Sequence, residues 1–171
     1  YVKFVEIKQF LIESCPITLK STYIIVQIDF RGWSYMDSII VCNTASNSLS
    51  MISLENDSVY NIPLSSNNIL RGPHGIEVYK NKILTANNYD SSISVIDLDE
   101  KNEIENYFIG AHPNDIKTYK NNGYILCGEI NSLVVFDMKE KNTIFQMNTD
   151  ENPHSIIIDN NGTGYLCSLQ G

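Results

Sequence analysis

Three prolines set the frame within which this chain can fold. Pro73, Pro113 and Pro153 stand forty residues apart, in the segments GPHGIEVY, HPNDIKTY and NPHSIIID, and each is followed three residues later by an isoleucine: Ile76, Ile116 and Ile156. The period runs beyond these segments. Glu100-Lys101-Asn102 returns as Glu140-Lys141-Asn142, and Val95 with Asp97 returns as Val135 with Asp137. VCNTASNSLSMISL, from Val41 to Leu54, aligns without gaps on TANNYDSSISVIDL, from Thr85 to Leu98. A fixed period of this length marks an architecture in which one small unit buries its faces only against its neighbours.

The unit from Pro73 onward reads as four strands separated by turns. Ile76 to Tyr79 is followed by a polar Asn81-Lys82 turn, then Ile83 to Ala86, the polar patch Asn87 to Ser92, Ile93 to Leu98, the turn Asp99 to Glu103, and Ile104 to Ile109. Stretches such as Ile93-Ser94-Val95-Ile96 and Leu133-Val134-Val135-Phe136 are apolar on both faces, which demands cover on both sides of the sheet. No segment between strands has the helical periodicity that a parallel α/β sheet requires. The expected fold is therefore all-β: a partial β-propeller of about four four-stranded antiparallel blades with a repeat of about forty residues, each blade stacked between two others. Residues 39–72, 73–112 and 113–152 are the expected repeats, 153–171 the start of a further blade, and 1–38 an irregular first blade or a closing strand. Within that last span, Tyr23 to Phe30 is a candidate inner strand.

LTANNYDSSISVIDL following a Pro-His-Gly-Ile segment resembles the repeat of YVTN-type β-propellers, the family of lactonase-like and surface-layer-type seven-bladed propellers. The resemblance covers roughly Ile39 to Gly171 and is best from Pro73 to Gly110. Leu84 and Ile125 stand where the tyrosine of the family name would be, and the first copy lacks the proline. Seven blades, as the resemblance implies, are more than this chain supplies. An open arc leaves a bare apolar face at each end, so the expected partner is the remainder of the propeller in a longer polypeptide or a second copy of the chain. The first residue is Tyr1 and the last, Gly171, follows a strand-like run, so both ends are expected to be cut.

Charge and hydropathy exclude some partners. The formal net charge is −8 and 20 acidic residues face 12 basic ones, a balance that repels phosphate backbones and argues against nucleic acid. The longest apolar stretch, Tyr23 to Ile28, is interrupted by Gln27 and is far short of the roughly 20 residues of a membrane span.

All three histidines flank the repeat prolines: His74 and His154 directly after, His112 directly before. In a propeller the start of each innermost strand faces the central channel near one rim, so these imidazoles are candidates to gather there and bind a metal or shuttle protons. The family resemblance implies a plainer and preferred role, in which histidine beside this proline hydrogen-bonds backbone and shapes the loop. Arg71, beside Gly72-Pro73, is a candidate to hold an anion at the channel, against a solvated loop position. The sequence specifies no cofactor.

Of four cysteines, Cys42 aligns with Ala86, and Cys127 and Cys167 lie forty apart, so these three are assigned to one small, buried position. Disulfides between adjacent blades are not expected, since equivalent Cα atoms lie beyond about 7 Å. Free cysteines lean towards a reducing compartment and the resemblance leans towards export, which leaves localisation open. Asp97 and Asp137 are read as turn caps, and Trp33 as a plug for the first blade rather than a partner contact. No phosphate-binding loop, nucleophile elbow, zincin helix or calcium loop is present. The expected function is a binding scaffold that presents rim and channel loops to a protein or small molecule, with a lactonase-like hydrolase or metal-binding propeller as the alternative.

Overall fold

A computed structural model describes residues 26–27, 38–64 and 69–170. The first sheet runs β1 (Val26–Gln27), β2 (Ser38–Asn43), β3 (Ser48–Ser53) and β4 (Val59–Pro63). The second runs β5 (Pro73–Tyr79), β6 (Lys82–Asn87), β7 (Ser92–Asp97) and β8 (Asn102–Phe108). The third comprises β9 (Pro113–Tyr119), β10 (Asn122–Cys127), β11 (Ser132–Asp137) and β12 (Asn142–Asn148). A fourth pairs β13 (Pro153–Ile158) with β14 (Gly164–Ser168). Each sheet is an antiparallel meander in chain order. These sheets are the blades of a partial β-propeller. Among the described residues the one departure from strands and turns is a 3₁₀ turn at Thr44–Ser46, and no helix is long and apolar enough to cross a membrane. The readings for residues 1–38 fall outside the described residues, except that Val26 and Gln27 pair with Val41 and Ile40 as the innermost strand of the first blade; Trp33 and Cys15 are not described.

The strands extend further towards the prolines than the apolar runs indicated. β5, β9 and β13 each begin at the proline itself, which tolerates the first position of a strand because its missing N–H is needed least there. In β5 and β13 the register slips by one residue just after the proline, so the residue at 74 or 154 drops out of the ladder.

Alternation along each strand sends neighbouring side chains into different seams between blades. Ile83 and Ile96 of the second blade join Ile40, Leu49, Met51 and Ile62 of the first. Leu84, Ile93 and Val95, which point to the other face of the same strands, join Ile116, Ile125, Val134 and Phe136 of the third. Leu126 and Leu133 then pack against Ile156 of the fourth. The strands apolar on both faces are thus the blade centres.

Turns repeat with the blades. Lys80 and Lys120 hold a positive φ of 57° at the β5–β6 and β9–β10 turns. Asp97 Oδ1 accepts from the amides of Asp99 (2.9 Å) and Glu100 (3.1 Å), and Asp137 Oδ1 from those of Lys139 (2.7 Å) and Glu140 (2.9 Å). Both aspartates therefore cap their turns as expected. At Gly75 two blades come close together: a Cβ there would lie 2.5 Å from Asp115 Cα and 2.7 Å from the Asn114 carbonyl oxygen.

The cysteine assignment needs correction. Register places Cys42, Ala86, Leu126 and Cys167 at one position, each pairing with the equivalent neighbouring residues. Cys127 pairs with Pro113 and Ser132, which makes it the counterpart of Asn87 and Asn43. The β13–β14 hairpin is one residue longer than the β9–β10 hairpin, so a spacing of forty no longer means equivalence there. Cys42 and Cys127 are fully buried, and burial pushes each thiol up to about 12. Cys167 is exposed, contrary to the packing role assigned to it, because the outer face of the β13–β14 sheet is uncovered.

Candidate functional site

Because β5, β9 and β13 all start at the same end of their blades, the residues after the three prolines come to one rim: His74, Asn114 and His154. The two imidazoles meet edge to face, with ring centroids 5.7 Å apart and planes at 86°. His74 Nδ1 lies 2.8 Å from the Asn114 carbonyl oxygen. A carbonyl only accepts, so Nδ1 carries the proton of that bond and Nε2 is the acceptor of the neutral ring.

Asn114, between the histidines, is itself fixed by two blades. Its Oδ1 accepts from Asn88 Nδ2 at 2.9 Å and its Nδ2 donates to the Pro153 carbonyl at 3.4 Å. Gly128 makes room for this side chain: a Cβ there would sit 2.4 Å from Asn114 Nδ2. On the other side of His74, Thr44 Oγ1 donates to the Pro73 carbonyl at 2.7 Å. The rim is stitched from blade to blade through backbone carbonyls.

The other two candidate residues stand elsewhere. His112 lies in the β8–β9 loop with Nε2 3.4 Å from Glu129 Oε2 of the β10–β11 turn, and both side chains are largely exposed. Arg71 is mostly buried, with Nη1 2.6 Å from Asp90 Oδ2 and Nε 3.2 Å from Glu103 Oε1. Burial pulls its pKa down, and the bonds to Asp90 and Glu103 more than offset this, so the guanidinium stays charged. Two carboxylates already take up the charge that the anion-holding reading needed. The segment around Arg71 is pinned as well: Asn47 Oδ1 accepts from the amides of Arg71 (2.6 Å) and Gly72 (3.2 Å), which fixes the approach to Pro73 and His74.

Beneath the rim the inner strands carry charges that the sequence reading passed over. Asp115 is buried and accepts from the amides of Ile116 (2.9 Å) and Ile156 (3.1 Å), joining the third blade to the fourth. Glu77 Oε1 accepts from the Thr118 amide (3.2 Å) and Oγ1 (2.9 Å), joining the second to the third. Lys117 Nζ sits 3.6 Å from both carboxylates and donates to the Ile76 carbonyl at 2.9 Å. The signal was available in Ile76-Glu77-Val78 and Asp115-Ile116-Lys117, where charged residues interrupt strands that must be covered. Among the described residues no three His, Cys, Asp or Glu side chains come together so as to hold a metal ion.

Comparison with known proteins bears on the fold alone. No family model matches the sequence, and no curated protein matches it. Among solved structures, the selenomethionine-substituted virginiamycin B lyase from Staphylococcus aureus aligns over 91% of this chain and 52% of its own, at 16% identity and a TM-score of 0.72. A streptogramin B lyase aligns over 85% of this chain and 48% of its own, at 16% identity and a TM-score of 0.70. Hydrazine synthase of Kuenenia stuttgartiensis aligns over 73% of this chain and 36% of its own, at 20% identity and a TM-score of 0.65. The chain thus spans between about a third and a half of these structures, and what it shares with them is the β-propeller fold.

Proposed function

We propose that the protein is a propeller binding scaffold of the YVTN type, whose ligand-contacting surface is the rim at which β5, β9 and β13 begin. His74, Asn114 and His154 form its inner edge, His112 stands further out beside Glu129, and Arg71 acts through its ion pairs to hold the loop that delivers His74. The observation that carries this reading is the meeting of two imidazoles from non-adjacent blades across a fixed asparagine. Rigid strands hold them and exposed loops surround them, the division of labour expected of a binding platform. A ligand able to donate to an imidazole and accept from an amide matches the groups presented there.

Ligand-observed NMR with a library of small amides, carboxylates and lactones tests the reading. Bound members should be lost in the His74→Ala/His154→Ala double variant and retained in His112→Ala; retention in the double variant overturns it. A second reading uses the same pair. With Nδ1 anchored on a carbonyl, the His74 ring is held in one orientation beside His154, and a lactonase-like hydrolase that used this pair for proton transfer would open some of those lactones, releasing acid in a pH-indicator assay.

The partner follows from the uncovered fourth sheet. Ile157 and Tyr165, a cross-strand pair, are exposed on it, a face suited to another blade of the same ring, supplied by a longer polypeptide or by a second copy. Sedimentation of the 171-residue chain as a non-associating monomer with no affinity for added copies excludes the second source.

A further inference from the structure

The opposite rim holds a cleft that the histidine rim does not use. It lies between the second and third blades, where the β5–β6 turn meets the β11–β12 turn, and encloses about 420 Å³. That volume falls within the range of small-molecule sites, roughly 300–1,000 Å³. Tyr79, Tyr107, Val95 and Met138 give it apolar walls, and Lys80, Lys82, Lys139 and Lys141 bring four ammonium groups to its lining.

Two of these cations are already committed. Lys141 Nζ lies 2.6 Å from Glu105 Oε1, the lining carboxylate, which also accepts from the Tyr107 hydroxyl. Lys82 Nζ is 3.1 Å from Asp97 Oδ2. The remaining pair is held weakly. Lys80 lies over the Tyr79 ring at 4.7 Å, and Lys139 touches only Glu140 among the described ion pairs, at 3.1 Å with both groups strongly exposed. Such a contact is worth little and yields readily to a better acceptor. Lys80 comes from the second blade and Lys139 from the third, so an anion between them is gripped from both sides. In a chain of net charge −8, this concentration of lysine around an apolar hollow is specific in its chemistry.

We propose that this cleft binds a small organic anion with a flat apolar body, its ring against Tyr79, Tyr107 and Met138 and its carboxylate or phosphate between Lys80 and Lys139. The apolar walls distinguish such a ligand from an inorganic ion, and the lysines distinguish it from a neutral aromatic.

Phenyl phosphate is the probe, followed by calorimetry and by amide chemical shifts on the 171-residue chain. Saturable binding of one molecule per chain is expected, with inorganic phosphate and benzyl alcohol each at least tenfold weaker, and with affinity falling as sodium chloride rises from about 50 to 500 mM. Lys80→Gln/Lys139→Gln should weaken it at least tenfold, while Lys120→Gln, on the same rim but outside the cleft, should leave it unchanged. Glutamine keeps the side-chain length, and unaltered circular dichroism establishes that the double variant is folded. Should the double variant fail to fold, the single Lys139→Gln variant takes its place with an expected loss of at least threefold. Binding that is non-saturable, equally strong for phosphate or benzyl alcohol, or indifferent to these substitutions overturns the proposal.

Discussion

Two seams of this propeller solve the same packing problem with different chemistry. Between the first and second blades, Asn87 donates to Ser92 (2.9 Å) and Ser94 (2.6 Å) and accepts from Thr85 (2.8 Å), all four fully buried. Asn106, Glu103, Asp90 and Arg71 extend the network outward. Forty residues on, the equivalents are Cys127, Ser132, Val134, Ile125, Gln146, Thr143, Ile130 and Ala111. Between the second and third blades these give a largely apolar stretch of the seam, centred on Phe136, with Glu77 and Lys117 on the innermost strands β5 and β9. A serine bonded to the Ile130 carbonyl and to Gln146 is what remains of the network. Asn87, Ser94, Thr85 and the three charged residues are replaced together, and the serine and amide that stay bond each other, because a half-satisfied buried network is worse than either extreme.

Breaking each seam at its centre should show the difference. Phe136→Ala opens a cavity in the apolar seam and should cost about 4 kcal/mol in urea unfolding. Arg71→Ala, which takes the cation from between Asp90 and Glu103, should cost about 3 kcal/mol, and Arg71→Ala/Asp90→Ile/Glu103→Thr should recover most of that by giving the polar seam its neighbour's residues. A triple variant as unstable as the single one breaks the comparison.

Moving polarity the other way should cost less. Cys127→Asn buries an amide opposite Ser132 and diagonal to Val134 and should lose about 2 kcal/mol, partly restored by adding Val134→Ser. In the native chain a thiol reagent should label exposed Cys167 rapidly and Cys127 only when the seam opens, as read by site-resolved mass spectrometry.

The smallest effect is on pH. Asp97 and Asp137 titrate below their ordinary range because turn amides donate to them, and Glu105 because Lys141 and Tyr107 do. Each adds stability above the ordinary carboxylate pKa of about 4 and withdraws it as the pH falls through the lowered folded value. Asp137→Asn should therefore flatten the acid limb of a stability profile by lowering stability slightly at neutral pH while leaving the most acid end, where Asp137 is protonated, nearly unchanged.

What could be read from the sequence was whatever repeats. The prolines, the isoleucine three residues later and the doubly apolar strands recur in register, so the blades and their stacking followed from spacing. What did not repeat stayed hidden. Arg71, Asp90 and Glu103 meet from a loop, a turn and an outer strand, and none has a charged counterpart forty residues on. Glu77 and Lys117 share one repeat position with opposite charges, and Ile157 occupies it in the fourth blade; Asp115 stands where the other blades have Gly75 and Ser155. The histidines were visible as a set, but whether their rings met depended on whether each fell within a strand or a loop: His74 and His154 ride on inner strands and meet, while His112 sits in a connector and does not. Cys127 was misplaced because one added residue in a hairpin breaks the count without breaking the fold.

The hydrogen in place of a side chain at Gly75 governs more than its own strand. Neighbouring blades splay like the staves of a barrel, and the angle between them is set where they come nearest, at the innermost strands. With Asp115 Cα standing where a methyl group would need to go, the second and third blades can close to an angle that any bulkier residue would widen. An error of a few degrees at one such wedge is carried around the whole circle, so a single methyl group added here would misalign the rims far from where it was introduced.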